Sequence, residues 1–311
     1  MSKKSKRQYS RILKRRKQEI KGRLKRKQWE DQESPMLKGR NIHYEVAEKS
    51  QAVNCGGIGA IHQMVQRCGL VEEINAKVKL LKAHVPYHES DHVLNIAYNI
   101  LAGGVRLEDR ELNRSNEGYL NAVGAQRIPD PTTAGDFTRR FTPEDIGNLM
   151  ESINTVRSRV WKEGRKEKFK VALIDDIRYF FYITTLRDVT AQEVVELANE
   201  RCNQENVIEQ LKNGVNAMRM PVRDLESNWA YMVMAALAWN LKAWFGLLMP
   251  NEGRGTQVVK MEFRRFLNSL IFLPCQILRT GRKIVYRVLG YNDWLKDFFE
   301  TWERIRRLKC A

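Results

Sequence analysis

Proline is scarce in this chain of 311 residues, eight in all, and no Gly-, Ser- or Pro-rich low-complexity linker divides it. That excludes fibrous and linker-dominated architectures and leaves room for helices. The five cysteines (Cys55, Cys68, Cys202, Cys275, Cys310) are odd in number and never spaced as CxxC. A disulfide framework is therefore not expected. The first residues lack the apolar core of a signal peptide, so reduced thiols and a cytoplasmic location are expected. Apolar runs of membrane-spanning length free of charge are also missing. Trp229–Met249 is rich in Ala, Met, Leu and Trp, but Asn240 and Lys242 fall inside it. A charge there costs roughly 2.5–3.5 kcal/mol on insertion scales, so the segment reads as a buried core helix and no membrane partner is expected.

What is present supports a sizeable core, with 43% hydrophobic residues and seven Trp, in about two domains at roughly 150 residues each. Acids are outnumbered 37 to 54, and the excess is local. Residues 1–40 hold 16 Lys/Arg against Glu19, Glu30, Asp31 and Glu33, while the remainder is close to balance. Such a segment attracts polyanions by releasing their counterions, which makes nucleic acid the first partner to consider and an anionic membrane surface the second. Within Ser2–Glu33, Ile12, Leu13, Ile20, Leu24 and Trp29 recur at loose helical spacing among Arg15, Arg16, Lys25 and Arg26. Alone the segment has little to bury, so disorder or a frayed helix is expected, with these cations contacting DNA.

Helical periodicity covers Gly59–Cys68 and His88–Leu101, the second closed by Gly103-Gly104. Two capping boxes, Thr133 to Asp136 and Thr142 to Asp145, open further helices, the later one with Pro143 at its first position and running to about Trp161. Pro129-Asp130-Pro131 reads as a rigid connector. Helices are also expected over Asn228–Met249, Val258–Phe272 and Asn292–Leu308.

The segment 169–176 changes character: an apolar run ending in Asp175-Asp176 reads as a buried strand delivering acids to a sheet edge, and Tyr179–Thr185 as a second strand. Thr190–Glu193 is a capping box opening a helix to Asn213, with Gly214 as its cap. This is expected to be the only α/β patch. On that helix Arg201, Glu205, Ile208 and Lys212 lie at i, i+4, i+7 and i+11, so a cation, an acid and a second cation share one stripe. Opposite a strand ending in carboxylates, Glu205 could help hold a divalent metal while the cations bind phosphate; solvated surface charges are the plain alternative.

The segment Glu200–Gly214 resembles the third-acid helix of DDE transposases of bacterial insertion sequences, whose signature is Tyr-x2-Arg-x3-Glu-x6-Lys. Arg201, Glu205 and Lys212 match it, and Ala198 stands where the Tyr would be. The resemblance extends in family order over His88–Leu101, Pro129–Phe141, Asn228–Pro250 and Leu273–Arg282. It implies an RNase H-like catalytic domain in which two Asp and one Glu surround two Mg²⁺ ions for DNA strand cleavage and transfer, acting at terminal inverted repeats. By that resemblance Asp175 or Asp176 would descend from the first catalytic Asp, and Asp175 and Glu205 would be metal ligands. The chain departs from the pattern between Asp176 and Thr190, where thirteen residues replace the expected strands, helix and second Asp. Asp188, the one other acid there, is a poor substitute. An internal deletion is inferred, and with it weak Mg²⁺ binding and no transposition by this chain alone.

Residues 130–141 pair a short helix with Arg139 and Arg140, which together with the next helix could form a helix-turn-helix contacting phosphate; a structural helix pair is equally consistent. His84, His88 and His92 recur every four residues, but Pro86 interrupts any helical metal stripe. Gly56-Gly57-Ile58-Gly59 lacks the Lys and Ser/Thr of a phosphate loop and reads as a turn. The five Trp between Trp229 and Trp302 are expected to pack a helical core.

The sequence therefore describes a mainly α protein with a small α/β remnant of an RNase H-like catalytic domain. Residues 1–45 form a basic DNA-binding tail, 46–168 a helical DNA-binding domain, 169–215 the truncated catalytic remnant and 216–311 a helical C-terminal region. The expected function is that of a defective insertion-sequence transposase binding DNA, as a homo-oligomer or beside an intact copy; the alternative is a non-enzymatic DNA-binding regulator of transposition.

Overall fold

The computed structural model describes residues 3–25, 51–164, 207–280 and 283–308, and among these it is mainly helical with one small sheet. The centre is helix α9 (Leu225–Leu247), numbered after α1 (Lys3–Lys25), α2 (Ile58–Arg67), α3 (Leu70–Lys77), α4 (Glu89–Leu101), α5 (Arg110–Arg114), α6 (Glu117–Val123), α7 (Pro131–Thr138) and α8 (Pro143–Gly164). The Asp224 carboxylate starts α9 by accepting from the Ser227 N–H at 2.8 Å. Ala, Leu and Met then carry the helix, and burial is not confined to one stripe: Met234, Leu237 and Leu241 share one face, while Tyr231 and Ala235 are buried on one flank of it and Val233 on the other. A helix apolar all round must be enclosed by its neighbours. Here α2, α4, α7, α8 and α10 (Glu252–Lys260) pack around it, and one apolar core runs from Val53 to Leu308. The buried-helix expectation for Trp229–Met249 holds, and no described helix is long and apolar enough to cross a membrane. Of its tryptophans only Trp244 is fully enclosed; Trp229 remains exposed, against the expectation that all five pack inside.

Lys242 is the exception within α9. It is fully buried, yet its ammonium donates to Gln210 Oε1 at 2.9 Å and to the carbonyl of Met261. That second acceptor exists because the helix expected over Val258–Phe272 is broken. α10 ends at Lys260, Met261 is extended, and the chain restarts as α11 (Phe263–Phe266) and a π-helical turn Leu267–Ile271. A carbonyl bonded inside a continuous helix would be a poorer partner for a buried cation.

The capping box at Thr142–Asp145 forms as read: Asp145 Oδ2 accepts from the Thr142 N–H at 3.1 Å and its own N–H donates to Thr142 Oγ1 at 3.3 Å. The preceding helix starts earlier than expected. Asp130 is its N-cap, accepting from the Thr133 N–H at 2.8 Å, and Pro131 is its first residue. The Pro-Asp-Pro connector is thus in part the helix start, because proline lacks only an N–H that the first turn leaves unbonded anyway.

The β structure also corrects the sequence reading. β1 (Gln51–Val53), β2 (Cys275–Thr280) and β3 (Lys283–Val288) form an antiparallel sheet in that order, with Gln51 opposite Ile277 and Cys275 opposite Val288. The α/β patch is therefore not the only β region, and the strands expected over 169–185 lie outside the described residues. The glycine motif at 56–59 serves this junction. The N–H groups of Gly56 and Gly57 donate to the carbonyls of Leu273 (2.8 Å) and Ile271 (3.0 Å), and a Cβ on Gly57 would lie 2.0 Å from Leu270 O. It is a close backbone approach ahead of α2. Cys55, Cys68 and Cys275 are buried and form no disulfide, and burial pushes the Cys55 thiol up to about 11 and that of Cys275 up to about 12.

Two measurements follow. Gly57→Ala is expected to destabilise the fold by at least about 1–3 kcal/mol, the usual cost of overpacking, in chemical denaturation. Burial lowers Lys242 to about 8 from 10.5. Between these values the folded chain has released a proton that the unfolded chain still binds, so this residue's contribution to stability rises as pH increases through that window. The stability of wild type relative to Lys242→Met should therefore improve from pH 8 to 10.5 and be flat below pH 8.

Candidate nucleic-acid interface

The basic segment is a helix, and it is docked. α1 lays one stripe on the C-terminal region, at positions 9, 13, 16 and 17, which share a face at helical spacing. The Tyr9 ring stacks on Phe299 with centroids 6.0 Å apart, and Leu13 packs against the core. Arg16 Nη1 donates to the carbonyls of Val288 (3.3 Å) and Gly290 (3.0 Å), and Lys17 Nζ pairs with Asp293 Oδ1 at 3.1 Å. The expectation of a disordered or frayed tail is corrected for these residues. The loose apolar spacing understated the docking face because two of its four anchors are cations, whose aliphatic stems pack while their heads bond.

Docking turns the other cations outward. Arg11, Lys14, Arg15 and Lys21 are exposed on the sides away from that stripe, with Glu19 the one acid beside them, 3.5 Å from Arg15 Nε, while Arg23, also exposed, continues the stripe one step beyond Arg16. Opposite them α12 (Leu295–Arg307) ends in Arg304, Arg306 and Arg307. Arg304 bonds the carbonyls of Met249 and Glu163, so it joins elements. A helix face of exposed cationic heads on a docked backbone suits a phosphate backbone, where positioning needs charge and little shape.

Arg139 and Arg140 lie exposed between α7 and α8, and Arg139 Nη1 is 2.5 Å from Asp136 Oδ1. The first turn of α8 carries Glu144 and Asp145. Carboxylates there suit the helix dipole but oppose phosphate, so the pair has the geometry of a structural helical hairpin with one basic corner.

Of the residues drawn from the transposase signature, only Lys212 is described. It is exposed on a π-helical turn, Gln210–Gly214. Gly214 is not the expected left-handed cap: Val215 follows the turn and Asn216 takes the positive φ, at 53°. Asp175, Asp176, Arg201 and Glu205 lie outside the described residues, as do Arg26 and the side chain of Lys25. What the structure adds is the support of this turn. Gln210 Oε1 accepts from Lys242 Nζ (2.9 Å) and Trp239 Nε1 (3.0 Å), tying the segment that follows Glu205 to the central helix. Sequence reasoning registered Lys242 only as an obstacle to a membrane span; a cation inside an otherwise apolar helix was also the signal of a buried polar partner.

Comparison with curated proteins and with solved structures finds no match. Residues 155–310, just over half of the chain, match the family model described as transposase DDE domain group 1. The match spans the end of α8, the segment with the three candidate acids, the central helix and the sheet-forming C-terminal region. A protein built around that segment, with an outward cationic helix at its N-terminal end, belongs to the DDE transposase family, group 1.

Proposed function

We propose that this transposase-family chain is an internally deleted copy that binds DNA and does not by itself complete strand cleavage and transfer. The observation that carries the DNA-binding part is α1, whose docked stripe leaves Arg11, Lys14, Arg15 and Lys21 facing outward. We assign residues 1–45 to this tail, 46–168 to a helical DNA-binding region to which Arg139 and Arg140 contribute, 169–215 to the catalytic remnant and 216–311 to the C-terminal helical region. The DNA recognised would be the terminal inverted repeats of the parent element, with the chain acting as a partner or inhibitor of an intact copy.

The defect rests on the donor set. The family generally uses a divalent metal, which takes several convergent oxygen ligands. This chain offers Asp175 or Asp176 and Glu205, then only Asp188 in the thirteen residues before Thr190. An RNase H-like remnant with two of three acids fits Mg²⁺ poorly, and we derive no step through it. The Arg201, Glu205 and Lys212 spacing supports placement in the Tyr-Arg-Glu-Lys subgroup, with Ala198 in place of its Tyr.

Replacing Arg11, Lys14 and Arg15 by Gln is expected to weaken binding to any duplex and to lower the slope of log affinity against log salt by about 0.9 per lost phosphate contact. Fluorescence anisotropy across a salt series measures both; an unchanged slope would remove α1 from the interface. Purified chain with Mg²⁺ is expected neither to nick nor to join DNA carrying the element's ends, on denaturing gels. Cleavage that Glu205→Ala abolishes would overturn the assignment of a defect.

A further inference from the structure

The loop between α3 and α4 folds His84 back onto the start of α4. There it meets Glu89, the first residue of the helix, and His88, the residue before it. One ligand atom from each of His84, His88 and Glu89 lies within 4.8 Å of the other two. We infer that these three side chains form a binding site for a zinc-class divalent cation, separate from the carboxylate centre of the transposase family.

The site is built around Glu89. Its side chain is 1% exposed, and Oε1 accepts from the N–H groups of Leu80 (3.1 Å) and Leu81 (3.0 Å). That fixes the carboxylate and leaves Oε2 turned toward the imidazoles, 3.1 Å from His84 Nε2. The only ion-pair partner of this enclosed acid among the described residues is His84. A buried carboxylate calls for positive charge, and an imidazole supplies it only when protonated. The two rings stack with centroids 4.2 Å apart, and both histidines are exposed. Tetrahedral coordination at the usual zinc bond lengths sets ligand atoms roughly 3.3 Å apart. His84 Nε2 and Glu89 Oε2 already stand at about that separation, so gathering the three ligands around an ion needs only rotation of exposed imidazoles about a fixed carboxylate.

The donor chemistry selects the ion. Two imidazole nitrogens and one carboxylate oxygen suit zinc with water in the fourth position, whereas Mg²⁺ prefers six oxygens. His92, next in the four-residue series, does not take part: it is buried and stacks on Phe137 with centroids 4.3 Å apart. The histidine series is thus not a helical stripe, as Pro86 required, but two of its members converge through the loop that Pro86 helps to shape. A cation here would pin the 78–88 loop to α4, including Pro86 and Tyr87, which wall a cavity of about 620 Å³ with His62, Tyr98 and Arg127.

Equilibrium dialysis of the full chain against Zn²⁺, with elemental analysis, is expected to give one tightly held ion, unaffected by millimolar Mg²⁺. Co²⁺ in its place should show the visible absorption of a tetrahedral site. Loss of a group that merely supports a ligand costs roughly 10–100-fold in affinity, so His84→Ala and His88→Ala should each weaken binding at least that far. Glu89→Gln should do the same; should that variant misfold by circular dichroism, the two exposed histidines decide the matter. Wild-type chain that holds no zinc, or zinc affinity unchanged in both histidine variants, would overturn the site.

Discussion

A single buried ammonium organises the centre of this protein. Lys242 sits on a helix otherwise surrounded by apolar neighbours, and its charge is tolerable only with acceptors in place. Two are supplied, Gln210 Oε1 and the Met261 carbonyl, each from a segment that departs from regular α-helix. The π-helical turn at 210–214 and the break after Lys260 are therefore consequences of one constraint. Trp239 shares Gln210 and adds a second donor from the same helix.

The same logic explains the N-terminal helix. A segment as cationic as α1 gains little from its own hydrogen bonds, and it is held by Tyr9 on Phe299, Leu13 on the core, Arg16 on two carbonyls and Lys17 on Asp293. The Lys17 ammonium, bonded to Asp293, holds that carboxyl below its usual range. Because one stripe of the helix is committed inward, Arg11, Lys14, Arg15 and Lys21 form an outward face. Family membership and this face are consistent with the same class of partner by independent routes, one through the half of the chain that matches the family model and one through its opposite end.

The sheet shows how a readable signal was missed. Lys283–Val288 is rich in β-branched and aromatic residues and follows a second short segment with apolar residues, Cys275–Thr280, with Gly281 between them. Gln276, Arg279, Lys283 and Arg287 dilute that pattern with polar side chains. The third strand is different in kind: Gln51–Val53 has three residues and no periodicity, and it is a strand only because Cys275–Ile277 lies beside it. Likewise nothing in Val258–Phe272 announces an interruption at Met261, since the reason is a lysine on another helix.

Local rules, set by chemistry within a turn or two, were decided by sequence alone: the Thr142–Asp145 cap, the Gly103 stop after α4, the all-round apolar character of α9, and the concentration of charge near the N-terminus. So was the spacing of Arg201, Glu205 and Lys212, which anticipated the family. Tertiary structure decided whatever depends on a partner distant along the chain. It chose which cations of α1 face inward, gave Gly57 its crowded neighbour, brought His84 to Glu89, and placed an acceptor on each side of Lys242. Periodicity records which face of an element is apolar; only the packed fold determines what that face meets, and a buried charge or a missing Cβ acquires meaning from that contact.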